Sequence, residues 1–350
     1  MRHDPSRTGS RRVLVIGCGS IGTRHLKNLV TLGVEEIVAC DTRPDRLGEV
    51  KAQFKVDTVD DVAQAWAYRP HAVVIATPPS LHVPLALDAA ERGCHLFIEK
   101  PLSDQLDDAL ERLLAIVQER KLVTLVGCNM RFHPTLRAVK QLCGERAVGH
   151  IVAARVEMGH ALPEWHPWED YRTGYSARRG LGGGVILDAI HELDYIRWLL
   201  GEVVAVSAYA GKLSQLEIET EDVAAILLRF ANGAIGEVHL DYVQRVYSRT
   251  CQIIGEEGTI RWDYGTGETR WYTAASRTWQ TISNPSRWDP NEMYLDEMRH
   301  FLRCLAHEED PVVDVRDAAR TLDVALAAKT SSETGAAVEC RQAVSPGANK

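Results

Sequence analysis

Lys100 stands in Glu99-Lys100-Pro101, at the end of the apolar run His95-Leu96-Phe97-Ile98. Only nine of the 40 basic residues are lysines, so one at the end of a buried strand is an unusual placement. An ammonium held there suits a proton handler or a stabiliser of charge developing on a substrate oxygen. A hydrogen-bonded pair with Glu99 would fix that ammonium in place; the structural alternative is a salt bridge at the strand terminus. A second chemical cluster is Asp188, His191 and Tyr195, which follow the glycine run Gly182-Gly183-Gly184. Their spacing of i, i+3 and i+7 predicts one face of a helix over Val185–Leu200, with Ile186, Ile190, Leu193 and Ile196 lining the other side. A polar stripe on such a helix must face water or a wet site. Imidazole titrates near neutral pH, so His191 suits acid–base work. The alternative is a histidine satisfied in the core beside a solvated stripe.

Gly17-Cys18-Gly19-Ser20-Ile21-Gly22 matches G-x-G-x-x-G between a predicted strand and a predicted helix. In that context the first glycine allows a tight turn, the second admits a pyrophosphate, and the third lets helix and strand pack closely. The N–H groups of the helix start, at Ser20 and Ile21, complete a phosphate site. Asp41 closes the next strand, where an acid accepts the adenosine ribose hydroxyls. Its charge favours NAD over a 2′-phosphate; Arg43 nearby leaves NADP open. Asp41 also reads as a helix N-cap. Thr77-Pro78-Pro79-Ser80-Leu81-His82 follows a further strand on the carboxyl edge where ligands of open sheets bind, so Thr77, Pro78 and His82 join Glu99 and Lys100 as cofactor candidates. Equally, the segment is a stiff turn in which Ser80 caps a helix.

Positioning these groups requires two domains, and 350 residues suffice for them. Residues 12–127 alternate apolar runs (Val13–Ile16, Ile37–Cys40, Ala72–Ala76, Leu96–Ile98, Val123–Val126) with helical stretches (Ile21–Leu32, Arg43–Phe54, His82–Arg92, Leu106–Arg120). This β-α-β rhythm predicts a doubly wound parallel sheet over 11–127, behind a frayed tail at 1–10. A loop-like stretch rich in aromatics, proline and glycine, His160–Gly184, precedes the 185–200 helix. Consecutive strands then follow: Val203–Ala210, Val223–Phe230, Ala234–Leu240, Thr250–Ile254, Thr259–Trp262 and Arg270–Tyr272. They predict an open, mainly antiparallel sheet in a second domain, 128–350, closed by helices near 291–307 and 315–331.

The net charge of −8 argues against wrapping nucleic acid or anionic lipid. No apolar run approaches the roughly 20 residues of a membrane span, and no signal-peptide core follows the basic start. Eight scattered cysteines without a C-x-x-C pair read as reduced thiols of a cytoplasmic protein, with no metal site.

Together, G-x-G-x-x-G, E-K-P and a glycine run followed by Asp and His resemble the glucose–fructose oxidoreductase / inositol dehydrogenase / rhizopine-catabolism (Gfo/Idh/MocA) family, from about residue 11 to 335. The resemblance implies a Rossmann domain, then an α/β domain whose open sheet lines the site and joins subunits into a homodimer or homotetramer. It also implies hydride transfer between the nicotinamide C4 of NAD(P) and a carbinol carbon of a sugar, amino sugar, nucleotide sugar or polyol. Lys100 matches the E-K-P lysine, which polarises the oxygen. His191 matches the histidine that carries the proton, and Asp188 the aspartate that orients it. The family commonly has three residues between that Asp and His; here only Ala189 and Ile190 intervene, which leaves Asp188 open between catalysis and structure.

A narrower resemblance, carried by Trp165-His166-Pro167-Trp168-Glu169-Asp170-Tyr171-Arg172 and the 187–195 segment, is to members associated with nonulosonic-acid and surface-polysaccharide synthesis. It implies an amino or nucleotide sugar. Asn129, Arg131, Trp165, Trp168, Tyr171, Arg172 and Tyr175 are the substrate candidates. The aromatics would stack on sugar faces and Arg172 would hold a carboxylate or phosphate; a lid or subunit contact is the other reading of that segment. Rival functions are an NAD-dependent glycosidase using transient C3 oxidation, a non-catalytic NAD(P)- or sugar-sensing regulator, and an oxidoreductase cycling between two sugars on a non-dissociating cofactor.

Overall fold

Short strands without a polar face form the first sheet. In the computed structural model, which describes residues 12–341, β1 (Val13–Ile16), β2 (Ile37–Cys40) and β4 (Ala72–Ile75) are buried at every position, as parallel strands covered on both faces must be. With β3 (Asp57–Val59), β5 (His95–Ile98) and β6 (Thr124–Val126) they pair in the order β3-β2-β1-β4-β5-β6, parallel throughout. The order reverses between β1 and β4, and a ligand crevice is expected at the carboxyl ends there. Helices α1 (Ser20–Thr31), α2 (Pro44–Phe54), α3 (Val62–Ala65), α4 (His82–Glu91) and α5 (Asp108–Arg120) connect the strands. α5 begins later than expected because Asp107 caps it, accepting the Leu110 N–H at 3.0 Å. β3 escaped the sequence reading: only Val59 of its three residues is buried. The expected 1–10 tail lies outside the described residues.

The second unit is a nine-stranded sheet: β7 (Ile151–Gly159), β8 (Val203–Gly211), β9 (Val223–Phe230), β10 (Ile235–Asp241), β11 (Ser248–Gly255), β12 (Gly258–Asp263), β13 (Glu268–Thr273), β14 (Trp279–Ser283) and β15 (Val338–Glu339). The order is β14-β13-β12-β11-β7-β10-β9-β8-β15, and only the β7–β10 pair is parallel. Alternation is clean on β9, where Ala224, Ile226, Leu228 and Phe230 are buried while Ala225, Leu227 and Arg229 are exposed. The buried face carries α6 (Pro134–Gly144) and α8 (Ile190–Leu200), with the single-turn α7 (Val185–Asp188) before α8. A Cβ on Gly236 would lie 3.0 Å from Ile196, so α8 rests directly on bare backbone.

The units are not contiguous in sequence. The first comprises residues up to 103, 107–127 and 294–315, and the second 104–106, 128–293 and the chain from 316. The expected single block 128–350 is therefore interrupted. The reason is α9 (Asn291–Leu305), whose Met298, Phe301 and Leu305 recur at helical spacing and sit in one cluster with Val15, Leu26, Phe97 and Leu125 of the first unit. α10 (Val315–Thr334) follows.

Candidate active site

In the first unit the glycine loop leads from β1 into α1, and its three glycines do different work. Gly17 has φ +94°, and a Cβ there would lie 2.5 Å from the Ala76 carbonyl oxygen. A Cβ on Gly22 would lie 1.8 Å from the Gly17 oxygen. Both are dictated by packing. Gly19, the N-cap of α1, is not: its Cβ would meet only the Arg46 guanidinium, at 3.8 Å. The loop thus keeps bare backbone where the protein itself leaves room, and Gly19 offers no side-chain cap to the N–H groups at the start of α1. This is the cradle a dinucleotide pyrophosphate needs, so the residues fit NAD.

Asp41 is buried at the end of β2. One carboxylate oxygen accepts the Cys18 N–H at 2.7 Å and the other the Arg43 N–H at 2.9 Å. It therefore ties the glycine loop to the second strand, and its remaining lone pairs suit ribose hydroxyls. Arg43, itself the N-cap of α2, donates from Nε to Asp45 at 3.1 Å, so its guanidinium is turned to a neighbouring carboxylate. Arg46, 3.6 Å from Asp41, escaped the sequence reading; its place one turn into a helix behind an acid was the available signal.

His82 is buried, with Nδ1 2.7 Å from the Pro101 oxygen and Nε2 2.8 Å from the Thr77 oxygen. Burial pulls its pKa down against these two carbonyls. It braces the Thr77-Pro78 loop against the Lys100-Pro101 turn, a structural task for a residue expected at the cofactor. Glu99 is buried too. Its Oε1 lies 2.6 Å from His25 Nε2, and its Oε2 accepts the backbone N–H of Lys100 at 3.1 Å. Burial alone would raise this carboxyl; the His25 hydrogen bond and the charges of His25 and Lys100 hold it below the ordinary range.

In the second unit the expected continuous helix is broken. Ala189, at φ −90° and ψ 32°, leaves the α region, so Asp188 ends α7 and His191 lies in the first turn of α8. The single-face argument fails for Asp188 because it requires one unbroken helix. The wet stripe also gives way: α8 is buried around almost its whole circumference, and Glu192, Asp194 and Arg197 meet charged partners. Glu192 pairs with Arg249 at 2.8 Å, and Arg197 with Asp317 at 2.6 Å. Asp194 takes a two-pronged contact from Arg131, at 2.9 and 2.7 Å. Tyr195 is wholly buried against Trp262.

Asp188 accepts hydroxyl hydrogen bonds from Tyr175, from Ser176 at 2.6 Å and from Tyr242 at 3.0 Å. Of the substrate candidates, Tyr175 reaches this cluster directly and Trp165 reaches it through Tyr242, edge-on at 5.4 Å. Arg131 is committed elsewhere: besides Asp194 it holds Asp317 at 2.7 Å, which makes it a buried anchor. Asn129 lies buried in the same turn, Asn129–Phe132. Trp168, at 75% exposed, stands edge-on to His166, and Tyr171 accepts the Glu217 N–H at 3.3 Å. Arg172 is exposed and paired with Asp170 and Glu217, both at 2.8 Å, so its charge is already met by two carboxylates. Ser176, Tyr242, Glu192 and Arg249 were missed; their roles depend on partners far apart in sequence.

All eight cysteines are free, and among the described residues no cluster of metal-ligating side chains occurs. Among the described residues no helix is long and apolar enough to cross a membrane.

Comparison with known proteins matches two stretches of the chain to models of one family. Residues 11–128 match the model of the oxidoreductase family with an NAD-binding Rossmann fold, and residues 136–261 match that of the GFO/IDH/MocA C-terminal domain. Myo-inositol 2-dehydrogenase of Thermotoga maritima is 28% identical over 349 residues, covering 95% of this chain and 99% of its own. The scyllo-inositol 2-dehydrogenase (NAD(+)) of Bacillus subtilis is 26% identical, covering 94% and 96%. The WlbA dehydrogenase from Bordetella pertussis, solved with NADH and UDP-GlcNAcA, superposes with a TM-score of 0.81 over 95% of this chain and 99% of that one, at 24% identity, a likeness of fold.

Proposed function

Since this chain belongs to the Gfo/Idh/MocA family and is an NAD-dependent oxidoreductase acting on CH–OH groups, we propose that it oxidises or reduces a ring carbinol of a cyclic polyol or sugar, with His191 and Lys100 as its catalytic residues. When bound, NAD supplies the hydride acceptor, the C4 atom of its nicotinamide. Gly19 and the N–H groups opening α1 hold the pyrophosphate, and Asp41 accepts the adenosine ribose hydroxyls, which favours NAD over NADP. His191 takes the hydroxyl proton in oxidation and returns it in reduction. Lys100 donates a hydrogen bond to a substrate oxygen and stabilises the charge that develops on it. Asp188 holds the local backbone through its three hydroxyl partners.

The observation that carries this reading is the placement of Lys100: it follows β5 at the carboxyl edge of the sheet, the edge that also bears the glycine loop after β1 and Asp41 after β2. The relatives set the order in which substrates are tried. Myo-inositol and scyllo-inositol come first, then D-apiose, which names another dehydrogenase 29% identical over 346 residues. UDP-linked amino sugars follow, as the aromatic segment at 165–175 suggests. The test is NADH formation with each, in wild type, Lys100→Met and His191→Ala. Each variant should lose about 100-fold or more in kcat while NAD binding is kept. Near-normal turnover in either sinks its assignment. We infer in addition that the open face of the nine-stranded sheet pairs with a second copy, because Tyr209, Leu227 and Ile235 are exposed on it.

A further inference from the structure

We propose that His25 and Gly127 are positioning residues for Lys100, acting through the carboxylate of Glu99. The hydrogen-bonded ladder of the first sheet runs one residue beyond β5 and β6: Glu99 N–H donates to the Ile75 oxygen at 2.9 Å and Gly127 N–H to the Ile98 oxygen at 2.8 Å. Lys100 is the next residue. Its N–H donates to the Glu99 side chain at 3.1 Å. The direction in which the chain carries Lys100 away from the sheet is therefore set by a carboxylate, and what fixes that carboxylate fixes Lys100.

Two features fix it. His25, on α1, is fully buried, with Nε2 2.6 Å from Glu99 Oε1. Its ring stands edge-on to Phe97 at 4.9 Å, and Phe97 in turn to Phe301 at 5.6 Å, so the imidazole is clamped in the core. His25 Nδ1 meets no hydrogen-bond partner among the described residues, so the ring's one hydrogen bond is the donation from Nε2 to Glu99. The second feature is the floor. A Cβ on Gly127 would fall 3.0 Å from Glu99 Oε2 and 3.1 Å from both Cδ and Oε1, so the carboxylate rests on bare backbone. Gly127 is not in the left-handed region, so its lack of a side chain answers to Glu99 and not to the turn. On the far side of Lys100, His82 holds the Pro101 oxygen. An ionised carboxylate is costly to bury merely to end a strand; seated between a histidine, a glycine and a backbone N–H, it sets the lysine.

This inference rests on the assignment of Lys100 as the group that polarises the substrate oxygen, and the variants separate the two. His25→Leu removes the donor, His25→Gln restores a donor at the Nε2 position, and Gly127→Ala pushes the carboxylate off its floor. In His25→Leu and Gly127→Ala, amide-proton exchange at Lys100, read by NMR without substrate, should quicken about tenfold or more. Their kcat should fall by about 100-fold, with KM and the Kd for NAD held within about threefold. His25→Gln should recover kcat to within about tenfold of wild type. Unchanged Lys100 exchange in both His25→Leu and Gly127→Ala overturns the proposal, as does His25→Gln being as damaged as His25→Leu. Should His25→Leu fail to fold, Gly127→Ala decides alone. Normal turnover in Lys100→Met would remove the catalytic reading of Lys100, while the exchange measurement still tests the link from His25 to its backbone.

Discussion

A Cβ on Gly22 would lie 1.8 Å from the Gly17 oxygen, whereas one on Gly19 meets nothing nearer than Arg46 at 3.8 Å. The same substitution should therefore have opposite signatures at the two positions. Gly22→Ala should destabilise the fold, lowering Tm, since backbone must move to admit the methyl. Gly19→Ala should melt as the wild type does but bind NAD about tenfold or more weakly, by fluorescence titration, because the methyl stands where the pyrophosphate approaches. Asp241 carries a second residue-scale prediction. Burial pushes its carboxyl up, but His239, Gln244 and two backbone N–H groups outweigh this and bring it to about 2. A depressed pKa stabilises the fold above the ordinary carboxyl range, and that contribution is lost as pH falls from about 4 to about 2. In Asp241→Asn the fall of Tm across that window should be shallower. Much of the candidate site was legible at this scale, because the glycine loop, Asp41, Lys100 and His191 are local patterns. The partners of Asp188 were not: Tyr242 lies 54 residues away and no spacing announces it.

Among elements, α7 and α8 show where periodicity misleads. Residues 185–200 read as one amphipathic helix, yet the break at Ala189 divides them, and α8 is polar because its core partners are polar. Arg131, Asp194, Arg197 and Asp317 form a buried network that looks, in sequence, like a solvated stripe. The apolar strands β1, β2 and β4 were readable because burial on both faces leaves no ambiguity, whereas β3, with only Val59 of its three residues buried, left no pattern. α9 was readable as a helix but not as part of the first unit, since an apolar stripe does not name what covers it. Phe301 is fully buried in that unit's core. Phe301→Ala should cost about 3–5 kcal/mol, measured by urea unfolding. The fragment 12–127, lacking α9, should give no cooperative melt by circular dichroism.

For the whole molecule, the exposed rows of the nine-stranded sheet make a specific expectation. Tyr209 and Leu227 stand on neighbouring strands, 81% and 53% exposed. The 38.9 kDa chain should run at twice or four times that mass by light scattering, and Tyr209→Glu with Leu227→Asp should return it to the monomer mass. A monomeric wild type would remove the inference. The division into two units was visible as the change from α/β alternation to consecutive strands near residue 128. What composition could not announce was the return of residues 294–315 to the first unit, since nothing in those residues differs from any amphipathic segment. That return orders events in time. On the ribosome the nucleotide sheet is complete at residue 127, yet Met298, Phe301 and Leu305 of its core emerge only after eight of the nine strands of the second sheet, β7 to β14, have been made. At typical synthesis rates the interval is roughly ten to thirty seconds. Throughout it the first unit waits with an uncovered apolar face, so newly made chains of this protein should depend on a chaperone that finished ones do not need.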